Sequence, residues 1–291
     1  NDYVEPHVVA IRNTDKVFYK KLTLPASVGD IAYWDGSAVK TVPLSDWNTS
    51  LGTPIGVVII GTGFAPDGKA RIISLTNMNI DGEEYLYWDS NGGYDTDTPV
   101  PNYNVLPITD NAGSTTTGSD YYGYLPSDRS DWTGVQSYVD PSAKYKYNNG
   151  NYIPSPYLGD SPNPAYYQAL EGGNAMSDFD GLGNTRILAG LGSNYQAATA
   201  CWNYKDSANS NLQWYLPAAG ELGYLMPRFE LINQSIQAVG GTVVPVRDTL
   251  WGSSEFYVGR SYAAYYLNTS SGYINSNHKD GDFLVRALCS L

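Results

Sequence analysis

Few side chains in this sequence are suited to covalent or metal chemistry, and their spacing limits what they can do. The two histidines, His7 and His278, lie far apart in unlike surroundings, so neither a zinc site nor a Ser-His-Asp relay can be read from them. Carboxylates two apart occur at Asp178-Phe179-Asp180-Gly181 and Asp95-Thr96-Asp97, as a hard cation needs, but no Glu follows at the spacing of a full calcium loop. Asp178 and Asp180 are therefore weak candidates for a structural calcium, and Asx turns account for them equally well. Gly61-Thr62-Gly63 follows a strand, yet Pro66-Asp67-Gly68 and another strand come next, so no helix amino terminus is offered to a phosphate. Cys201 and Cys289 are the two cysteines. No catalytic constellation and no cofactor are expected.

The chain that must position these groups has 291 residues, enough for two ordinary domains. A formal charge of −12 argues against nucleic acid or an anionic membrane as partner, since both reward Lys and Arg. Charged residues are only 16%, whereas there are 26 Tyr and 30 Gly, an aromatic load that excludes disorder. Tyr, Ser, Gly and Asn together are the chemistry of adaptable binding surfaces, although an all-β protein rich in turns has a similar composition. No stretch approaches the length of a membrane span, so membrane insertion is not expected. Residues 1–20 lack the apolar core of a signal peptide, and a chain that starts at Asn1 rather than Met leaves secretion open.

Residues 1–87 read as a small β-rich unit. Asp35-Gly36 sits between Ile31-Ala32-Tyr33 and Ala38-Val39, Ile55 to Ile60 is a β-branched run of the kind buried on both faces, and Pro66-Asp67-Gly68 turns the chain into Ala70 to Leu75. From 88 to 165 Asn, Gly, Asp, Ser, Pro and Tyr dominate, which reads as long ordered loops. Helical periodicity is confined to about 193–240. Tyr195, Ala198, Cys201 and Trp202 share one face of a first helix that Ser193 or Asn194 would cap. A second helix starts near Pro217, is interrupted at Pro227, and ends at Gly240-Gly241. Strands follow at Thr242 to Val246, around Trp251, at Tyr262 to Leu267, at Tyr273-Ile274 and at Phe283 to Leu288, the last with Phe283, Val285 and Ala287 on one face. The fold class is α+β, with antiparallel strands around two helices.

Three segments in this order, Trp214 to Leu222 (WYLPAAGEL), Leu250 to Phe256 (LWGSSEF) and Val285 to Leu288 (VRAL), resemble the C-type-lectin-like domains of bacterial and phage surface proteins. Asp178 to Thr185 (DFDGLGNT) and Ala197 to Tyr204 (AATACWNY) look like further segments of them. The resemblance covers residues 88–291, and Val28 to Gly36 with Pro54 to Ile60 looks like the amino-terminal unit that usually precedes such a domain. It extends to the variable proteins of diversity-generating retroelements, in which template adenines are randomised. There, the resemblance implies, AAC codons become any NNC codon, a set without Lys, Glu, Gln, Trp and Met. Between Phe256 and Leu284 only Lys279 falls outside that set.

The resemblance therefore implies a variable ligand-binding segment at about 256–284. Tyr257, Tyr262, Tyr266 and Tyr273 would be anchors, with Arg260, His278, Asp280 and Asp282 as polar selectors. Val258, Gly259, Ser261, Ala264, Asn275, Ser276 and Gly281 complete the expected surface, while Trp251, Phe256, Ile274, Val285 and Ala287 read as the scaffold beneath it. The partner would be a variable protein or glycan on a cell surface, and the carrier a phage virion, as part of its tail, or a bacterial cell surface. The competing reading is a structural tail or surface subunit whose loops pack between protomers, for example in a homotrimer. C-type-lectin-like folds commonly bridge the first helix to the last strand, which implies a Cys201–Cys289 disulfide. A remote alternative is the formylglycine-generating type of oxidase, which shares the fold and uses paired cysteines, but neither Cys201 nor Cys289 lies in a segment resembling that site.

Overall fold

The computed structural model describes residues 25–91, 98–100, 178–208, 210–256, 262–270 and 273–291, with the backbone alone at 227, 273 and 275 and in several strands outside these ranges. A hairpin of β1 (Ala10–Asn13) and β2 (Lys16–Tyr19) precedes β3 (Ile31–Trp34) and β4 (Val39–Val42). The β3–β4 turn forms where Asp35-Gly36 predicts it: Gly36 takes φ +95°, and Asp35 Oδ1 accepts from the backbone N–H of Ser37 and Ala38. In β5 (Thr53–Ile60), Ile55 and Val58 enter one hydrophobic cluster and Val57 and Ile59 the other, so the strand is buried on both faces as its unbroken apolar run predicts. Next comes β6 (Arg71–Ser74), whose Ile72 and Ile73 divide in the same way.

The second sheet begins with β7 (Tyr85–Tyr87). The two-residue strand β8 (Asn102–Tyr103) is followed by two minimal hairpins, β9 (Ile108–Thr109) with β10 (Thr115–Thr116) and β11 (Tyr145–Lys146) with β12 (Tyr152–Ile153). Four α-helices lie among the described residues: α1 (Gly181–Leu191), α2 (Gln196–Asn203), α3 (Ala219–Leu222) and α4 (Phe229–Ala238). A 3₁₀ segment, Gly223–Arg228, joins the last two where Pro227 was expected to interrupt. After α4 the chain forms β13 (Thr249–Phe256), β14 (Ala263–Asn268), β15 (Tyr273–His278), β16 (Asp282–Leu284) and β17 (Leu288–Ser290).

The result is α+β. One sheet runs β4-β3-β5-β6-β17 and the other β15-β14-β13-β16-β7, with β8 also pairing β13. The two halves of the chain exchange edge strands: β17 completes the sheet of residues 31–74, and β7 completes that of residues 249–284. Both hydrophobic clusters likewise draw on both sides of the 87/88 boundary. Phe229, Ile232 and Ile236 of α4 pack with Val57 and Ile59, while Leu188 of α1 and Ala197, Ala198 and Cys201 of α2 pack with Ile55, Val58 and Trp251. Alternation after β16 is as expected, with Phe283, Val285 and Ala287 in one cluster and Leu284 and Leu288 in the other.

Three local expectations need correction. Helix α1 lies outside the span in which helices were expected, because Gly181, Gly183 and Gly190 give it poor intrinsic propensity; tertiary packing and the Asp180 cap, whose Oδ1 accepts from Gly183 N–H, supply what propensity lacks. Neither Ser193 nor Asn194 caps α2 by its side chain; Asn194 instead donates Nδ2 to Asp89 Oδ1 at 2.9 Å. Thr242 to Val246 is not a strand, since its hydrogen bonds go to Leu75 O and to the side chain of Asn233 rather than to a ladder.

At Gly181, α1 lies directly against the backbone of the segment before α3. A Cβ there would stand 2.4 Å from Glu221 Oε2, 2.7 Å from Ala218 N and 2.8 Å from Leu216 O. Gly181→Ala should cost about 1–3 kcal/mol or more through overpacking against backbone, although Ala is the better helix former. Urea denaturation checks this, and an unchanged or higher midpoint would refute it.

Candidate functional site

The segments that carry the family resemblance bond to one another. Asp178 is buried, and its carboxylate accepts from Asn184 Nδ2 at 2.8 Å, Ser254 Oγ at 2.6 Å and Asp180 N–H at 3.0 Å. Ser254 Oγ also accepts from Ala219 N–H at 2.9 Å, so one hydroxyl ties Leu250 to Phe256 to the start of α3. Thr185 Oγ1 accepts from Leu216 N–H at 2.8 Å, and Tyr215 exchanges backbone hydrogen bonds with Leu288. Burial pushes the Asp178 carboxyl above its ordinary value. Its two oxygens already serve protein donors and Asp180 serves as a helix cap, so this pair works as a structural hub. Among the described residues no three His, Cys, Asp or Glu side chains cluster as metal ligands would, and Asp95 and Asp97 lie outside those residues.

Glu221, of the same LPAAGEL segment, is fully buried. Its Oε1 accepts from Arg71 Nε and from Tyr215 OH, both at 2.8 Å, and its Oε2 accepts from Ala218 N–H at 3.0 Å. Arg71 reaches on to Asp67 Oδ2 and Lys69 O. The pair joins the first sheet to α3.

A second buried pair anchors the candidate binding segment. Lys279 and Glu255 are both 0% exposed, and Lys279 Nζ donates to Glu255 Oε1. Glu255 Oε2 accepts from Thr98 Oγ1 at 2.8 Å, and Lys279 Nζ lies 4.6 Å from the centroid of the Trp88 ring. Backbone bonds fix the turn as well: Lys279 N–H donates to Tyr262 O, Asp89 N–H to Lys279 O, and Gly281 N–H to His278 O. Burial pushes the Glu255 carboxyl up, against the pull of Lys279. Sequence reasoning singled out Lys279 by codon composition without seeing that it is core; the clue it missed is that Glu255, in the LWGSSEF segment, is a charge that needs a buried partner.

Around this anchor the expected site residues separate. His278, Asp280 and Asp282 are exposed, and Tyr262, Ser276 and Gly281 are half-buried; the Tyr262 and His278 rings lie 4.8 Å apart. Tyr266 is half-buried and packs edge-on against Trp251 and Phe283. Ala264 is a correction: it is 0% exposed, because β14 is flanked by β13 and β15 and this face of the sheet is covered, so its methyl is core. Tyr257, Val258, Gly259, Arg260 and Ser261 lie outside the described residues, as do the side chains of Tyr273 and Asn275, whose backbones pair with Asn268 and Tyr266. The expected scaffold residues Trp251, Phe256, Ile274, Val285 and Ala287 are all buried.

The expected Cys201–Cys289 disulfide does not form in this structure. Both are buried free thiols within one hydrophobic cluster, each filling space as a small apolar side chain. Burial pushes the Cys289 thiol up to about 12 and Cys201 well above its ordinary value, as it does for thiols in apolar surroundings. No helix among the described residues is long and apolar enough to cross a membrane.

No family model matches the chain, and no curated protein matches it. Among solved structures it is similar to a fimbrial protein from Bacteroides ovatus ATCC 8483, at 15% identity and a TM-score of 0.42, over 91% of this chain and 49% of that one. The chain thus spans about half the length of that protein.

Complete burial pushes the Glu221 carboxyl from 4.5 up to about 7, outweighing the opposing pull of Arg71. Between these values the folded state keeps a proton that the unfolded chain has released, so the Glu221 contribution to stability is fully present below pH 4.5 and is lost as pH rises to about 7. Glu221→Gln cannot titrate. The unfolding free energy of the wild type relative to this variant should therefore fall by about 3 kcal/mol between those pH values. Urea melts at both measure it, and a difference that stays flat or grows with pH would contradict the assignment.

Proposed function

We propose that this chain is a recognition protein that binds a protein or glycan on a cell surface through the face around Tyr262, His278, Asp280 and Asp282, carried on a C-type-lectin-like domain. It belongs on this reading to the variable proteins of diversity-generating retroelements and serves attachment from a phage tail or a bacterial surface. The observation that carries the proposal is the standing of Lys279. It is the one residue between Phe256 and Leu284 that NNC randomisation does not give, and it is fully buried in an ion pair, while His278 and Asp280 on either side of it are exposed. A fixed, buried peg between changeable, exposed neighbours is what a diversified surface on a constant scaffold requires.

A structural tail or surface subunit is favoured by a different observation. Strand β7 ends its sheet beside β16, and although Tyr87 N–H is taken by Gln196 and Leu86 O by Trp251, its Tyr85 and Tyr87 rings are 49% and 38% exposed, which suits packing against another chain. This reading expects a stable oligomer whose contacts survive changes at His278, Asp280 and Asp282.

The DNA flanking the gene should carry a near-copy of the 3′ coding end that differs at adenines, together with a reverse transcriptase reading frame. Their absence would remove the diversified reading and leave a lectin-like binding domain.

The protein itself provides a second test. Replacing Tyr262, His278, Asp280 and Asp282 together by Ala should abolish attachment to a cell that the wild type binds, while the exposed changes at His278, Asp280 and Asp282 each move stability by about 0.5 kcal/mol or less and the half-buried Tyr262 costs more. Lys279→Met should do the reverse, costing about 3–5 kcal/mol by leaving Glu255 buried and unpaired. Attachment that persists in the fourfold variant would place the ligand elsewhere, and a fully stable Lys279→Met would dismiss the anchor.

A further inference from the structure

We propose that the exposed rings of Tyr85 and Tyr87, with the carboxylates of Asp248 and Asp282 beside them, form a docking surface for a cationic protein segment that presents Arg at alternate positions of an extended chain. The proposal deepens the recognition reading, on which it rests through Asp282, by naming the partner's chemistry and by adding strand β7, which lies outside 256–284. Leu86 is 1% exposed, so the period of the strand turns both tyrosines to the opposite side, about 7 Å apart. The register sets Asp282 directly across from Tyr87, as neighbours on one face. Tyr85 OH donates to Asp248 Oδ2 at 2.8 Å. Asp248 is itself fixed: its N–H donates to Thr269 Oγ1 and its Oδ1 accepts from Thr249 N–H, both at 2.8 Å. Each exposed ring is thus paired with a carboxylate before any partner arrives.

The hydrogen bond to Asp248 raises the Tyr85 phenol above its ordinary value, and the charges of Glu84 and Asp282 push the same way, so three carboxylates converge on one ring. Arg247 is an exposed cation next to Asp248, but from 248 to 291 the described cations, Lys279 and Arg286, are both buried. Carboxylates therefore remain in excess, and this surface attracts a positive partner. A guanidinium meets both of its features, because it stacks on a Tyr face and bonds a neighbouring carboxylate in bidentate fashion, which an ammonium cannot do. Alternate side chains of an extended chain repeat at the spacing of Tyr85 and Tyr87, so two Arg engage both rings. Tyr87 N–H already donates to Gln196 Oε1 at 3.2 Å, and Leu86 O accepts from Trp251 Nε1 at 2.9 Å. The partner is consequently held by side chains rather than by joining the sheet.

NMR titration of the full chain with a short capped peptide of alternating Arg and Thr tests the surface. The Tyr85 and Tyr87 ring signals should shift saturably, with a Kd of about 1 mM at about 20 mM salt, and a peptide of alternating Glu and Thr should move neither. Replacing Tyr85 and Tyr87 together by Thr keeps every charge and suits an exposed strand, so the protein should stay folded while Arg-peptide binding weakens about tenfold. Asp282→Asn should weaken it about threefold. Binding that survives the double variant would be general attraction to an acidic protein and would overturn the proposal, as would the absence of shifts at about 10 mM peptide. So would a wild-type dimer in sedimentation that the double variant dissolves, since the occupant would then be a second copy of this chain. The double variant leaves Tyr262, His278, Asp280 and Asp282 in place. Cell attachment lost in the fourfold variant but undiminished in the double one would therefore leave the recognition face standing and refute this extension of it.

Discussion

A carboxylate taken wholly out of water must be surrounded by donors, and at Glu221 those donors come from every part of the molecule that has to meet. Arg71 brings the first sheet, Tyr215 brings the segment that bridges to β17, and Ala218 N–H closes the first turn of α3. The backbone of α1 approaches so closely that only hydrogen fits at Gly181. Moving any of these elements leaves Glu221 or the buried Arg71 cation without its partner, which costs more than the pair itself contributes. Asp178 repeats the arrangement a short distance away, holding Asn184, Ser254 and the start of α1. The two carboxylates thus specify relative placement more than they add stability, and the hydrophobic clusters on either side of β5 supply the latter.

This division explains why the second sheet can carry a surface unlike its core. Among the described residues of 262–284, the buried polar ones are Thr269 and Lys279. Thr269 Oγ1 is satisfied by the backbone of Asp248, and Lys279 by Glu255. The other buried positions there, Ala263, Ala264, Tyr265, Leu267, Ile274 and Leu284, are apolar or aromatic and belong to the two clusters.

Legibility in the sequence followed the same line between pattern and pairing. The apolar run of β5, the Asp35-Gly36 turn, the Pro227 break and the alternation through Val285 and Ala287 report period and turn chemistry, which are local, and each is found in place. Helix α1 was illegible because three glycines masked a helix that exists through its contacts with Glu221 and Leu216, and the lack of a Thr242 to Val246 strand reflects partners far away in sequence. Exchange of β7 and β17 between the sheets was illegible for the same reason, since nothing in a three-residue strand states which neighbour it joins. For the candidate site, the scaffold positions were readable as apolar residues on a repeating face. The status of Lys279 was not, because a lone Lys among Asp and Asn has the signature of solvent.

On the proposed reading, the value of Lys279 lies in where its constraint ends. A surface open to change needs a chain whose fold does not depend on the changing side chains, yet whose backbone does not drift when they change. Pinning the turn at one residue from below meets both demands: Nζ is held by Glu255 over the Trp88 ring, and the amide and carbonyl of the same residue are held by Tyr262 and Asp89. His278 and Asp280 then inherit a fixed backbone without contributing to the pair that fixes it. Had the anchor been an apolar side chain, NNC randomisation could replace it with another apolar residue of different size, shifting the turn by degrees. A buried charge tolerates no such gradation, since any uncharged substitute leaves Glu255 unpaired in the core. The ion pair thereby separates the positions that must stay constant from those that are free to vary, within a few residues of one turn.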